Sequence, residues 1–210
     1  MQRIITVILI FLLNNLAAAQ AKESNILIVA ENALNAMQSS LVSFAQVDSS
    51  GNKMEGILLI DRTKKFLRIE YAEPSPLQII VRAKKIYIYD YDLDQYNYAD
   101  NEQNFFSVFF SGTLTKLDEK PRVSKTAKVF KLDLFVKEFQ QHITINFSRD
   151  TQPKLLSMQI TEESGNIIEI YINKIQPLKN ISEELFIMKN PKIFGPPKPI
   201  DISKFELTDK

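Results

Sequence analysis

Apolar residues recur along this chain in short runs of about four to eight, separated by charged, Gly- or Pro-containing turns, which is the periodicity of consecutive antiparallel strands. The pattern is densest from Gly56 to Tyr98. There it predicts strands over Gly56–Asp61, Phe66–Ala72, Leu77–Arg82, Ile86–Asp90 and Gln95–Tyr98, divided by Arg62-Thr-Lys-Lys, Glu73-Pro-Ser-Pro and Ala83-Lys-Lys. In Phe66–Tyr71 the alternation is clean, with Leu67, Ile69 and Tyr71 on one face and Arg68 and Glu70 on the other. Ile79-Ile80-Val81 is apolar on both faces, so that strand is covered on both sides or lines a cavity with one. Further strands are predicted over Leu41–Val47, Lys128–Val136, His142–Phe147, Leu155–Thr161 and Ile167–Ile175. Asp48-Ser-Ser-Gly51-Asn52 and Glu163-Ser-Gly165-Asn166 supply turns with a glycine for positive φ.

Two stretches keep helical spacing instead. Ser24–Gln38 carries Ile26, Val29 or Ala30, Ala33 and Met37 as one stripe, with Leu27 and Leu34 beside it and Ser24 or Asn25 as N-cap. Asn101–Gly112 brings Phe105, Phe106, Phe109 and Phe110 to one side. Thr113–Thr126 reads as a polar loop, and its basic cluster Lys120, Arg122, Lys125 and Lys128 as a solvated one. Ser182-Glu-Glu-Leu-Phe reads as a single turn. The Pro-rich stretch Asn190–Pro199 is expected to be extended. The total is about nine to eleven strands with two helices, a mainly β chain.

Residues 1–21 change the picture of where the chain works. A positive Met1-Gln-Arg3, an apolar Ile4–Leu13 and a small-residue Ala17–Ala21 form a cleavable secretory signal, leaving residues 22–210 as one domain. The apolar run is too short to span a bilayer. The chain has no Cys, which excludes a lipobox anchor, disulfides and thiolate chemistry. Of 26 Lys and Arg, Arg3 lies in the signal, leaving 25 against 25 Asp and Glu. That balance argues against bulk nucleic-acid binding.

Candidate chemistry is sparse. His142, the single histidine, falls on a strand face with Thr144 and Asn146 and has no nucleophile motif to serve. Asp90-Tyr-Asp92-Leu-Asp94 begins like a calcium loop but has Gln95 where the turn requires Gly, and Asn101 at the twelfth position. It reads as a charged hairpin turn. No metal, cofactor or catalytic residue is predicted.

Phe44-Ala45-Gln46, the Gly51 turn, Gly56-Ile-Leu-Leu-Ile, Arg62-Thr-Lys-Lys-Phe-Leu-Arg68-Ile-Glu70-Tyr71, Tyr87-Ile-Tyr89-Asp90 and the Pro-rich close follow one another as in a known family. In order and spacing they resemble the periplasmic outer-membrane lipoprotein carriers, the LolA-like family. The departures are Thr63 in place of the family's Pro with one extra residue before Leu67, Ile69 in place of its Trp, no Gly in Val81-Arg-Ala-Lys-Lys before the Tyr87-Ile-Tyr89 strand, and no Pro opening the second helix. The resemblance implies an incomplete antiparallel β-barrel of about 11 strands with a helical lid over an apolar cavity. It implies no enzyme activity, but a periplasmic chaperone that holds the acyl chains of lipoproteins. The implied partners are acylated lipoproteins as cargo, an inner-membrane lipoprotein-releasing ABC transporter and an outer-membrane acceptor, with the chain a monomer. The cavity residues expected on this basis are Phe44, Leu67, Ile69, Tyr71, Ile80, Tyr87, Tyr89, Phe105, Phe106, Phe109 and Phe110. Arg62 and Arg68 are the candidates for the lid latch. Two other readings stay open: a lipid binder or lipoprotein-stress sensor of the same fold, and a periplasmic hydrolase or adaptor.

Overall fold

A computed structural model describes residues 27–82, 85–100, 114, 121–137 and 140–205. The predicted signal, the Ser24 and Asn25 caps and the Phe105–Phe110 run lie outside these residues. The described chain forms one eleven-stranded antiparallel sheet. Strands β1 (Ser39–Asp48), β2 (Lys53–Asp61), β3 (Phe66–Tyr71), β4 (Leu77–Arg82), β5 (Lys85–Asp90) and β6 (Gln95–Asp100) follow one another as hairpins. So do β7 (Arg122–Lys125), β8 (Val129–Val136), β9 (Gln141–Ser148), β10 (Leu155–Thr161) and β11 (Ile167–Pro177). The two meanders join where β11 pairs with β1, and β6 and β7 remain as edges, so the sheet is an incomplete barrel. Both edges are polar and exposed, and β7 is only four residues long, features that discourage further strand pairing.

β7 falls inside the stretch expected to be a loop. Only Val123 of its four residues is even half-buried, so it carries no apolar period to read. It is held by its ladder to β8, from Arg122 opposite Asp133 to Lys125 opposite Phe130. Arg122 and Lys125 are exposed, in keeping with a solvated basic cluster.

The turns form as their residues dictate. Gly51 has φ 83° and Gly165 φ 86°, and the Asp48 carboxylate accepts from the Ser50 and Asn52 amides. One extra residue, Asn173, bulges β11 against Ser43 and Phe44. Such bulges increase local twist and help a sheet to curl.

Helix α1, described over residues 27–35, lies across one face of the sheet. Leu27, Ala30, Ala33 and Leu34, with Met37 beyond its end, pack there against Val42, Leu58, Leu67 and Ile145. The buried stripe centres on Leu34, only 2% exposed. Burying one such leucine contributes about 1.5–3 kcal/mol. The opposite face is covered by the C-terminal segment, a strap of residues 178–205 whose Leu178, Phe186, Met188 and Ile200 are buried against Leu41, Leu59, Ile80 and Tyr89. Ile79-Ile80-Val81 is therefore apolar on both faces because both are covered. Within the strap, Glu183–Phe186 forms a 3₁₀ turn capped by Ser182. Pro191–Phe194 forms a single helical turn, α2, where an extended chain was expected. Proline is tolerated at the first helical position, and Asn190 caps the turn by accepting from the Lys192 amide at 3.0 Å.

Among the described glycines, Gly56 alone has a tertiary requirement. A Cβ there would sit 2.6 Å from the Glu70 carbonyl and 2.8 Å from Phe44 Cζ. The Phe44 ring fills the space over the glycine and meets Tyr71 edge-on at 5.5 Å, an aromatic covering a glycine across the ladder. Gly56→Ala is expected to lower stability by about 1–3 kcal/mol through overpacking, measured by denaturant unfolding. An unchanged midpoint would show that Phe44 moves aside freely.

Candidate functional site: the helix-covered apolar face

Side chains alternate across each strand, and the sequence-predicted residues divide accordingly. Phe44, Leu67, Ile69 and Tyr71 lie on the helix face, in one cluster with α1. Ile80, Tyr87 and Tyr89 lie on the opposite face, in the cluster with the strap. Phe105, Phe106, Phe109 and Phe110 are outside the described residues. The helix face also gathers residues that were not singled out: Leu58 and Ile60 of β2, Val81 of β4, Leu132 and Leu134 of β8, and Ile143, Ile145 and Phe147 of β9. Their alternation was visible, most plainly where Ile143, Ile145 and Phe147 oppose His142 and Thr144.

This face is apolar from β1 to β4 and again from β8 to β11. The buried polar side chains of β3 and β4, Arg68 and Gln78, engage the strap or its partner Glu70 instead. Between α1 and the β10–β11 pair lies a cavity of about 450 Å³, lined by Ala33, Ala36, Met37, Leu155, Ile172 and Ile175 among others. Small side chains on the helix leave that space open. Its size falls in the ordinary range for ligand sites. A second depression of about 690 Å³ opens beside Gly56 and Phe44, between Ala72, Pro76 and Tyr91 and Pro199 of the strap. Tyr71 closes the helix-face cluster near Gln46, to which its hydroxyl donates at 2.8 Å, and burial pushes its pKa up to about 12.

The two arginines act on different faces. Arg62, in the β2–β3 turn, reaches the end of α1: its backbone amide donates to the Gln38 carbonyl at 2.8 Å, and Nη2 donates to Asn35 Oδ1 at 3.2 Å. A cation beside a helix C-terminus is favourably placed, and burial lowers the pKa of this one. Arg68 is 6% exposed and faces the strap. Its Nη1 donates to the Leu185 carbonyl at 2.9 Å, and Nη2 to the Lys198 carbonyl at 2.7 Å. Its Nε donates to Glu70 Oε1 at 2.8 Å. Glu70 in turn accepts from Gln78 Nε2 at 2.9 Å and from the Ile200 amide at 2.8 Å. Tyr91 completes the set by donating to the Pro197 carbonyl at 3.0 Å, and burial raises its pKa to about 12. Thus Arg62 ties α1 to the sheet, and Arg68 with Glu70 ties the strap. The Arg68-x-Glu70 pair was legible as polar positions on a half-buried strand. Its partners, more than a hundred residues away in sequence, were not.

In Asp90–Asp94 the carboxylates of Asp90 and Asp94 serve the hairpin. Asp90 accepts from the Leu93 amide at 3.0 Å, and Asp94, at φ 49°, accepts from the Tyr89 hydroxyl. That hydrogen bond raises the Tyr89 pKa to about 12.

The described residues thus form an unclosed antiparallel barrel with one apolar, helix-covered face bordered by a cavity of ligand-site size. The chain belongs to the family described as outer membrane lipoprotein carrier protein LolA, which it matches over residues 35–189. It is 28% identical over 179 residues to an uncharacterised protein of Rickettsia prowazekii (strain Madrid E), covering 84% of this chain and 82% of that one. It is 27% identical over 189 residues to an outer-membrane lipoprotein carrier protein of Legionella pneumophila (strain Lens), covering 84% and 88%. A solved structure of an uncharacterised conserved protein from Thermus thermophilus shares the fold, with a TM-score of 0.53, 12% identity and coverage of 80% and 92%.

Removing Arg68 would take the counter-charge from the Glu70 carboxylate, leaving it only Gln78 and the Ile200 amide, and would leave two strap carbonyls without their donor. Arg68→Met and Glu70→Met are therefore each expected to destabilise by about 3–5 kcal/mol. A double substitution of both partners by Met should cost clearly less than the sum of the two single changes. Denaturant unfolding of the four proteins measures this cycle. Additive losses would show that the pair does not act as a unit.

Proposed function

We propose that this protein is a periplasmic carrier that holds the acyl chains of lipoproteins against its helix-covered apolar face. The observation that carries the reading is that face itself, apolar on strands of both meanders, in a chain of the lipoprotein carrier family. Burial of an acyl chain there contributes about 0.8 kcal/mol per methylene, which accounts for uptake without any covalent chemistry. The chain is read as a binding protein, with residues 1–21 as a cleaved signal and residues 22–210 as the mature domain. It receives cargo from an inner-membrane ABC transporter and delivers it to an outer-membrane acceptor.

Release requires that the empty face be satisfied by the protein's own side chains. Helix α1 already covers part of it, and Arg62 holds α1 down through Asn35 and Gln38. Phe105, Phe106, Phe109 and Phe110 are assigned to the same task, competing with cargo for the apolar space. In this reading Arg62 is the lid latch, while Arg68 serves the strap.

Mass spectrometry of the protein purified gently from its native periplasm tests the function. Acylated lipoproteins should co-purify; free phospholipid alone would favour a lipid binder that does not shuttle. The latch is tested by Arg62→Ala. Losing about 1 kcal/mol from the closed, empty state should raise affinity for a fluorescent fatty acid about fivefold, measured by titration. Unchanged affinity would remove Arg62 from the latch.

A further inference from the structure

The strap carries a feature that neither the core nor the apolar face uses. Met188 and Phe186 are buried on one side of it, and Ile200 on the other. Pro197 and Lys198 are tied by their carbonyls to Tyr91 and Arg68. Between these anchors the chain makes the single turn α2 and then reverses at Gly195, φ 76°. The turn is stiffened by Pro191 at its start and by Pro196-Pro197 after it, so its side chains are presented with little conformational freedom to lose. Those side chains are the wrong kind for water. Ile193 is 71% exposed and Phe194 66%, and Ile187, just before the anchor Met188, is 47% exposed.

Charge says what they face. Lys189, Lys192 and Lys198 are all exposed, and no acidic residue occurs from Leu185 to Ile200. The Lys189 ammonium lies 5.7 Å from the centre of the Phe194 ring, so cation and aromatic ring stand side by side. In a chain whose basic and acidic residues balance overall, this is a local patch of three cations around exposed apolar side chains. Exposed Phe and Ile flanked by lysines match the boundary of an anionic bilayer, with apolar groups entering the acyl region and ammonium groups meeting the headgroups. A protein partner would be expected to offer a pocket for the ring; the bilayer requires only the composition seen.

We propose that the α2 finger, Lys189 to Lys198, docks the protein on anionic phospholipid membrane. The docking is reversible, because three lysines and a few apolar side chains give only marginal anchoring. It is independent of what the helix-covered face binds: a protein that held no lipoprotein would still partition, and a carrier without the finger would still hold cargo.

Cosedimentation of the purified protein with phosphatidylcholine vesicles, with and without phosphatidylglycerol, tests this at low and at physiological salt. The wild type should sediment with the anionic vesicles only, and less so as salt rises. Ile193→Asp with Phe194→Asp should lower partitioning at least tenfold. Replacing Lys189, Lys192 and Lys198 by Gln should lower it about a hundredfold, at about fivefold per lysine. All these positions are exposed, and matching melting curves would confirm that the variants fold. No binding by the wild type, equal binding to neutral vesicles, or undiminished binding by either variant would overturn the proposal. So would a finger that captures a protein partner but no vesicle.

Discussion

Strands β2 to β4 carry aliphatic side chains on both faces, and everything else in the fold follows from the need to cover both. Leu58 and Ile60 point one way and Leu59 the other, yet all three are buried. A sheet of this kind is stable in water only between two layers. Here the layers are unequal. The strap is fastened by a buried ion pair that reaches its backbone at Leu185, Lys198 and Ile200. The helix layer, among the described residues, rests on small and aliphatic side chains, on Arg62 through Asn35 and Gln38, and on the Leu114 amide, which donates to Glu31 Oε1 at 2.8 Å. The strap's ties are charge-assisted and reach its backbone, while the helix cover borders the cavity of about 450 Å³.

This inequality gives physical content to a binding role. A cover held mainly by nondirectional contacts can be exchanged for another apolar surface at little net cost, because an acyl chain satisfies the same side chains. A cover held by charge-assisted hydrogen bonds cannot, because displacing it strands a carboxylate and several carbonyls. The alternation of β3 separates the two roles within six residues: Leu67, Ile69 and Tyr71 serve the helix face, and Arg68 and Glu70 the strap.

Most strands were legible because their turns and alternation agree, as at Gly51 and Gly165. β7 was not, since its place rests on a ladder to β8 rather than on buried side chains. The face assignment of Leu67, Ile69 and Tyr71 could be read relative to Arg68 and Glu70. That of Ile80, Tyr87 and Tyr89 could not be distinguished from a cavity wall, because an apolar side chain looks the same whether a strap or a ligand covers it. The sequence order also hides that residues 178–205 return to strands laid down a hundred residues earlier. The α2 turn was missed for a local reason: proline density suggested an extended chain, while Asn190 and Pro191 form a cap and first position.

Methyl NMR of the protein titrated with a diacylated lipopeptide tests the central claim most directly, because neighbouring residues on one strand answer oppositely. Methyl signals of Leu58, Ile60, Leu67 and Ile69 are expected to shift on binding, while those of Leu59 and Ile80 beneath the strap stay in place. Shifts confined to Leu59 and Ile80, or no shift on either face, would contradict a binding site on the helix-covered side.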